Sequence, residues 1–233
     1  MSIRIYGRHP VLEALKAQRK MHTVYATEAV PQKLLASFEA QGIHIQKVSK
    51  NTLDQWVGTQ HQGLAADVED YVCVPLNVFL QKQQPKHLVL LDGIHDPHNF
   101  GAIIRTAEAM GMGGLVIGKH RRAPITATVV KVSTGAIETL PLIEAGNLAN
   151  ALEQLKQAGY WIYGLDLNTE RTLDDIPHDV KVCLVLGNEG DGLSSLIKKR
   201  CDVLVTIPMY GQTNSLNVSV AAGMAMQHLS KVR

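Results

Sequence analysis

Three segments of the sequence set polar residues directly after apolar runs, where a fold would gather them. In DGIHDPHNFGAIIR, Asp92, His95, Asp96, His98 and Asn99 lead into an apolar helical stretch that contains Arg105. A guanidinium among Ile103, Ile104 and Ala107 needs a structural carboxylate or a ligand beside it, and Asn99 can serve as the helix cap. In LVLGNEGDGLS, the glycines at 187, 190 and 192 bracket Asn188, Glu189 and Asp191. They let a backbone approach a ligand closely, although glycine with asparagine or aspartate also builds ordinary turns. In PMYGQTNSLNVS, Pro208 and Gly211 lead to Gln212–Ser215, then to Leu216, Asn217, Val218 and Ser219, and then to a helix dense in small residues. Ser215 or Asn217 can cap that helix, and the same run can hold a planar ligand against exposed backbone donors and acceptors.

Several other chemistries find no support. His95, Asp96 and His98 resemble metal ligands, but no further histidine or carboxylate cluster completes a set, so no metal is expected. Gly111-Met112-Gly113-Gly114 follows a helix and precedes a strand, the reverse of the dinucleotide fingerprint, and neither a phosphate loop nor a nucleophile elbow is present. Cys73, Cys183 and Cys201 are far apart and sit among apolar neighbours, which argues for buried or neutral thiols rather than disulfides.

The elements that must position these segments fall into two groups. Residues 1–74 read as a small βα module: a helix over Pro10–Arg19, the strand TVYAT, a helix through Leu34, Leu35 and Phe38, the strand IHIQKV, a short helix near Leu53–Val57 and the strand GLAADV. PLNVFLQKQQPK, residues 75–86, has the polar, glutamine-rich composition of an exposed connection. Residues 87–233 alternate six short apolar strands with helices, including helices over Asn99–Met110, Thr128–Thr134, Leu148–Ala158 and Leu216–Leu229. This pattern makes a mostly parallel α/β sheet covered on both faces, whose ligands bind beyond the carboxyl ends of the strands.

The bulk properties are those of an ordinary globular chain of 233 residues, with 45% hydrophobic and 19% charged residues and a formal charge of +2. That charge neither announces nor forbids a nucleic-acid partner. The basic runs KHRR, at 119–122, and KKR, at 198–200, suit a solvated surface or a helix's last turn, and the first could equally meet phosphate. No apolar run spans a bilayer and no secretory leader is evident, so a cytoplasmic location is expected.

Taken together and in order, NFGAIIRTAEAMG, VLGNEGDGLS and IPMYGQTNSLNVSVAAGMAM resemble the three motifs of the SpoU (TrmH) family of RNA ribose methyltransferases. The likeness covers residues 86–233, and the leading YGRHPVLEAL is similar to the substrate-binding domain of RlmB-type members, which methylate a guanosine ribose in large-subunit (23S) ribosomal RNA. The resemblance implies a knotted, SPOUT-type α/β domain with a trefoil knot, a homodimer with sites near the subunit interface, and S-adenosylmethionine as cofactor. It implies cofactor contacts from Leu186, Gly187, Ile207, Met209, Ser215, Leu216 and Asn217, and catalytic parts for Asn99, Arg105, Glu189, Ser215 and Asn217. Gln212-Thr213-Asn214 departs from the small or serine-rich run expected before SLNVS. Two alternatives stay open: the same chemistry on transfer RNA, and a non-catalytic RNA-binding or ribosome assembly factor. Transfer-RNA relatives generally lack the leading domain, and the intact Asn99, Arg105, Glu189 and Asn217 speak for catalysis.

Overall fold

The computed structural model of the chain describes residues 2–120, 122–177 and 179–231, so Arg121 of the first basic run lies outside the described residues. In chain order the elements are β1 (Ser2–Tyr6), α1 (Arg8–Lys16), β2 (Met21–Ala26), α2 (Gln32–Glu39), β3 (Ile45–Lys47), α3 (Lys50–Val57) and β4 (Leu64–Glu69). They continue with β5 (Val74–Pro75), α4 (Leu76–Lys82), β6 (His87–Asp92), α5 (Pro97–Ala109), β7 (Leu115–Gly118), α6 (Ala127–Ser133) and β8 (Leu142–Ala145). The last are α7 (Leu148–Gln157), β9 (Tyr160–Leu165), β10 (Lys181–Gly187), α8 (Ser195–Arg200), β11 (Val203–Val205) and α9 (Val218–Ser230). Contacts divide the chain into two compact units, Met1–Tyr71 with Ile125–Thr139, and Val72–Pro124 with Leu140–Arg233.

The first unit holds a mixed sheet in the order β1-β4-β2-β3, with β4 antiparallel to both β1 and β2. Strand β1, absent from the sequence reading, obeys strand alternation: Ile5 is fully buried while Arg4 makes a two-point contact with Asp67 at 2.7 and 2.8 Å. Hydrogen bonding from Arg4 holds the Asp67 carboxyl below its usual range. Residues 125–139 differ from their expected place in the second half of the chain, because their polar side chains are satisfied in the first unit. Lys131 Nζ donates to Gln60 O and Oε1 at 2.8 and 2.9 Å, and Arg19 Nε meets the buried Glu138 carboxylate at 2.7 Å. A carboxylate with a side chain only 2% exposed requires such a partner.

The second unit is built on a seven-stranded sheet in the order β11-β9-β10-β6-β7-β8-β5, with every pairing parallel. Leu88, Leu90, Cys183 and Val185 share one buried cluster with Leu152 and Leu155 of α7 and Ile197 of α8. Helix α9 packs on α5 and against β10. These strands are apolar on both faces, as a covered parallel sheet requires. The thiols are all free; burial pushes that of Cys183 well up and that of Cys201 up to about 12. Among the described residues no helix is long and apolar enough to cross a membrane.

Residues 75–86 correct the expected exposed connection. Val74–Pro75 pairs with β8 as an edge strand, and α4 buries Leu76 and Phe79, each 4% exposed, in the core cluster of this unit. The apolar pair at i and i+3 marks a helix face that the neighbouring glutamines obscure. Phe79→Ala should therefore cost about 3–5 kcal/mol in urea unfolding, whereas a residue of an exposed tether would change stability by about 0.5 kcal/mol or less.

Candidate functional site

Helix α5 starts where the sequence breaks its apolar run with Asp96-Pro97. Asp96 is the N-cap, its Oδ1 accepting from the amide of His98 at 3.0 Å and its Oδ2 from that of Asn99 at 3.4 Å. Asn99 is thus not the cap that its type suggested, and its side chain is free for longer-range work. Only 8% exposed, it donates from Nδ2 to Glu189 Oε1 at 2.9 Å and accepts at Oδ1 from Asn217 Nδ2 at 3.0 Å. One amide thereby joins the three polar segments. Its orientation is fixed chemically, since only the nitrogen can donate to a carboxylate.

Each partner is held in turn by local structure. Asn217 caps α9, its Oδ1 accepting from the amide and hydroxyl of Ser219 at 2.8 and 2.6 Å. The capping reading of Asn217 and its role beside Asn99 are compatible, because the carboxamide uses its oxygen for one and its nitrogen for the other. Glu189 follows β10 in a turn where Asn188 Oδ1 accepts from the amides of Gly190 and Asp191 at 2.8 and 2.7 Å. Gly187 admits no side chain: a Cβ there would stand 2.1 Å from the Gly192 carbonyl carbon. Asp92, at the end of the adjacent β6, accepts from the Ser194 amide at 2.8 Å and closes the far side of this loop.

Beyond the carboxyl ends of β9, β10 and β11 these loops enclose a cleft of about 380 Å³, within the size range of small-molecule sites. Leu186, Gly187, Ile207, Met209, Ser215, Leu216 and Asn217, the seven residues expected to hold a cofactor, all line it, as does Glu189. The sequence reading missed the wall formed by Leu165, Asp166, Leu167 and Asn168. Its signal was the strand YWIYGLD, which ends at the same edge of the sheet as the other two loops. Asp166 is itself fixed by Lys198 Nζ at 2.9 Å, so the basic KKR run does structural work here, together with the 2.7 Å pair of Arg200 and Glu153. Arg122 of the other basic run is likewise used locally, donating to the carbonyls of Gly118 and Ala123.

Arg105 stands apart. It is exposed on α5, does not line the cleft, and among the described residues makes no hydrogen bond or ion pair. The structural carboxylate considered for it is absent there. Six helical residues separate it from Asn99, a rotation of about 120° and a rise of about 9 Å, which puts the two on different faces. His95, Asp96 and His98 also gather no metal-binding set, and no group of three or more potential ligands forms among the described residues.

The cleft is lined by the apolar residues Leu165, Leu186, Ile207, Met209 and Leu216 and by the acidic residues Asp166, Glu189 and Asp191. That donor set suits a ligand with a planar or apolar body and a cationic centre.

Comparison with known proteins places this geometry. The profile of the SpoU rRNA Methylase family matches residues 86–227, and one described as RNA 2'-O ribose methyltransferase substrate binding matches residues 4–72. A Staphylococcus haemolyticus protein named for the TrmH family of tRNA/rRNA methyltransferases is 38% identical over 237 residues, spanning 98% of this chain and 95% of the relative. The crystal structure of an AdoMet-bound rRNA methyltransferase from Sinorhizobium meliloti is 25% identical with a TM-score of 0.84, covering 99% of this chain and 87% of that one. The A. aeolicus TrmH/SpoU tRNA modifying enzyme is 28% identical with a TM-score of 0.59, covering 68% of this chain and 84% of its own. The SPOUT-type α/β domain with a leading substrate-binding domain is shared with such neighbours, and the expected trefoil knot is consistent with that kinship. With one family profile over more than half its length and a relative this similar from end to end, the chain belongs to the SpoU (TrmH) family of RNA methyltransferases.

Proposed function

We propose that this protein transfers a methyl group from S-adenosylmethionine to the 2'-hydroxyl of a guanosine ribose in large-subunit ribosomal RNA, as RlmB-type members do. The observation that carries the chemistry is the Glu189–Asn99–Asn217 hydrogen-bonded series, of which Glu189 and Asn217 line the cleft. When bound, S-adenosylmethionine supplies an electrophilic methyl on a sulfonium cation. Leu186, Ile207, Met209 and Leu216 supply apolar walls for it, Gly187 and Ser215 main-chain contact, and the cleft carboxylates a favourable field for the cation.

Positioning carries much of the acceleration, because the ribose oxygen must lie in line with the carbon–sulfur bond. Asn99, itself held by Asn217, keeps Glu189 Oε1 in place. The second oxygen, Oε2, has no partner among the hydrogen bonds formed by the described residues and takes the hydroxyl proton as the new carbon–oxygen bond forms. Arg105 is exposed and has no ion-pair partner among the described residues, so its part is to hold an RNA phosphate or the developing charge on the ribose.

Ribosomal RNA is favoured over transfer RNA because the leading unit is present and because the rRNA methyltransferase neighbour covers nearly all of this chain. Residues 1–74 are assigned to RNA binding and the second unit to methyl transfer. The protein is further assigned as a homodimer: Val220 and Met224 of α9 are 51% and 46% exposed, an apolar surface on the helix that packs against α5. In analytical ultracentrifugation the wild type should sediment as a dimer and Val220→Glu/Met224→Glu as a monomer; a monomeric wild type sinks the dimer assignment.

The decisive assay offers labelled S-adenosylmethionine with ribosomal RNA and with transfer RNA. Label entering ribosomal RNA at a guanosine ribose is expected. Label confined to transfer RNA would overturn the substrate assignment, and failure to bind the cofactor in calorimetry would overturn the activity.

A further inference from the structure

The first unit contains a larger cleft, about 1010 Å³, between the loop that follows β2, the end of β3 and the loop that precedes β4. Its frame is built rather than incidental. Arg8 donates its backbone amide to Gln62 Oε1 at 3.0 Å, its Nε to Gln62 O at 3.2 Å and its Nη2 to Ala29 O at 3.2 Å, bridging two loops. Gln62 holds a left-handed φ of 55°, and Gly63 a φ of 80° at which a Cβ would meet Thr27 Oγ1 at 2.6 Å. The His61 ring, 2% exposed, locks this turn, with Nε2 3.0 Å from Asp54 Oδ1 and Nδ1 accepting from the Gly63 amide at 2.8 Å. Backbone conformations of this kind persist where the surroundings over-determine them, commonly at binding sites.

Charge says what the frame is for. Arg8, Lys47 and Lys50 line the cleft against a single carboxylate, Glu28. Lys47 and Lys50 are exposed, and among the described residues neither makes a hydrogen bond or ion pair. Lys50 is also the first residue of α3, where the helix dipole disfavours a cation. A lysine kept at that end, facing a cleft with two further cations, is repaid by an anion.

We propose that this cleft binds a single-stranded stretch of RNA through its phosphates, an inference that rests on the protein being an RNA methyltransferase and names where its first unit takes the substrate. A concave space of this size accepts a strand with its bases splayed, whereas a duplex presents a broad convex surface. No phenylalanine, tyrosine or tryptophan lines the cleft and the His61 ring is buried with both nitrogens engaged, so the grip is on phosphate and on hydrogen-bonding edges, with Gln62 and the Arg8 guanidinium plane as the polar wall.

The test uses the full chain and a fluorescein-labelled single-stranded RNA of about twelve nucleotides, followed by anisotropy across a salt series. Lys47→Gln/Lys50→Gln should bind about tenfold more weakly, with the salt slope shallower by about 1.4, the value for two lost contacts at about 0.7 each. Lys20→Gln/Lys33→Gln removes the same charge from the same unit outside the cleft and should stay within about twofold of wild type. Cofactor binding and melting temperature should be unchanged in both. Equal weakening in the two pairs, no weakening in the first, or a larger loss for duplex than for single-stranded RNA overturns the inference. Wild-type methyl transfer is scored separately: binding at the cleft without methylation of any RNA overturns the activity and leaves the cleft, while methylation with an unaffected Lys47/Lys50 variant does the opposite.

Discussion

Arg105→Ala is expected to lower turnover by about a thousandfold, the loss typical of removing a group that stabilises charge in a transition state. Cofactor affinity should be kept, because Arg105 does not line the cleft, and stability should shift by about 0.5 kcal/mol or less, because the side chain is exposed. Single-turnover transfer to RNA, calorimetry with S-adenosylmethionine and thermal melting read these three quantities separately. Arg105→Lys keeps the charge but loses the planar fork, so it should recover only part of the rate. Normal turnover in the alanine variant would remove Arg105 from the mechanism. A matched loss of cofactor affinity would instead make it a structural residue of the cleft.

Asn99→Asp tests the hydrogen-bonded series, with a sign that a packing role does not predict. The substitution preserves shape but replaces the amide nitrogen that donates to Glu189 Oε1, leaving two carboxylates in hydrogen-bonding contact. Like charges this close cannot both ionise without cost, so one carboxyl is pushed up and a shared proton relieves the pair as pH falls. Turnover should drop by about a hundredfold or more at neutral pH, at least as far as in Asn99→Ala, which removes the donor without adding a charge. Relative to wild type, the aspartate variant should then recover as pH is lowered and the alanine variant should not. Two superimposable pH profiles would show that Glu189 is not held by Asn99 during the reaction.

Much of this site was legible in the residues. The parallel sheet followed from apolar runs alternating with helices, because a strand buried on both faces has no room for polar residues. The seven expected cofactor residues line one cleft because strands of such a sheet end together, which makes the residues after them neighbours whatever their distance along the chain. The wall at Leu165–Asn168 follows the same rule and escaped notice only because its loop is short of glycine. Local periodicity could not disclose three other features. Residue type made Asn99 a helix cap, but Asp96 took that role and released the amide to partners 90 and 118 residues away. Composition made 75–86 a tether, but Leu76 and Phe79 found a core to fill. Residues 125–139 joined the first unit through the buried Glu138 and Arg19, a pairing across 119 residues that no window of sequence contains. The sequence by itself determined most of the elements of the parallel sheet, the edge of that sheet where ligands bind and the residue types available there. Tertiary structure alone decided which polar groups meet, because a hydrogen bond depends on angstrom-scale placement of donor and acceptor, and that placement is set by the packing of the whole sheet.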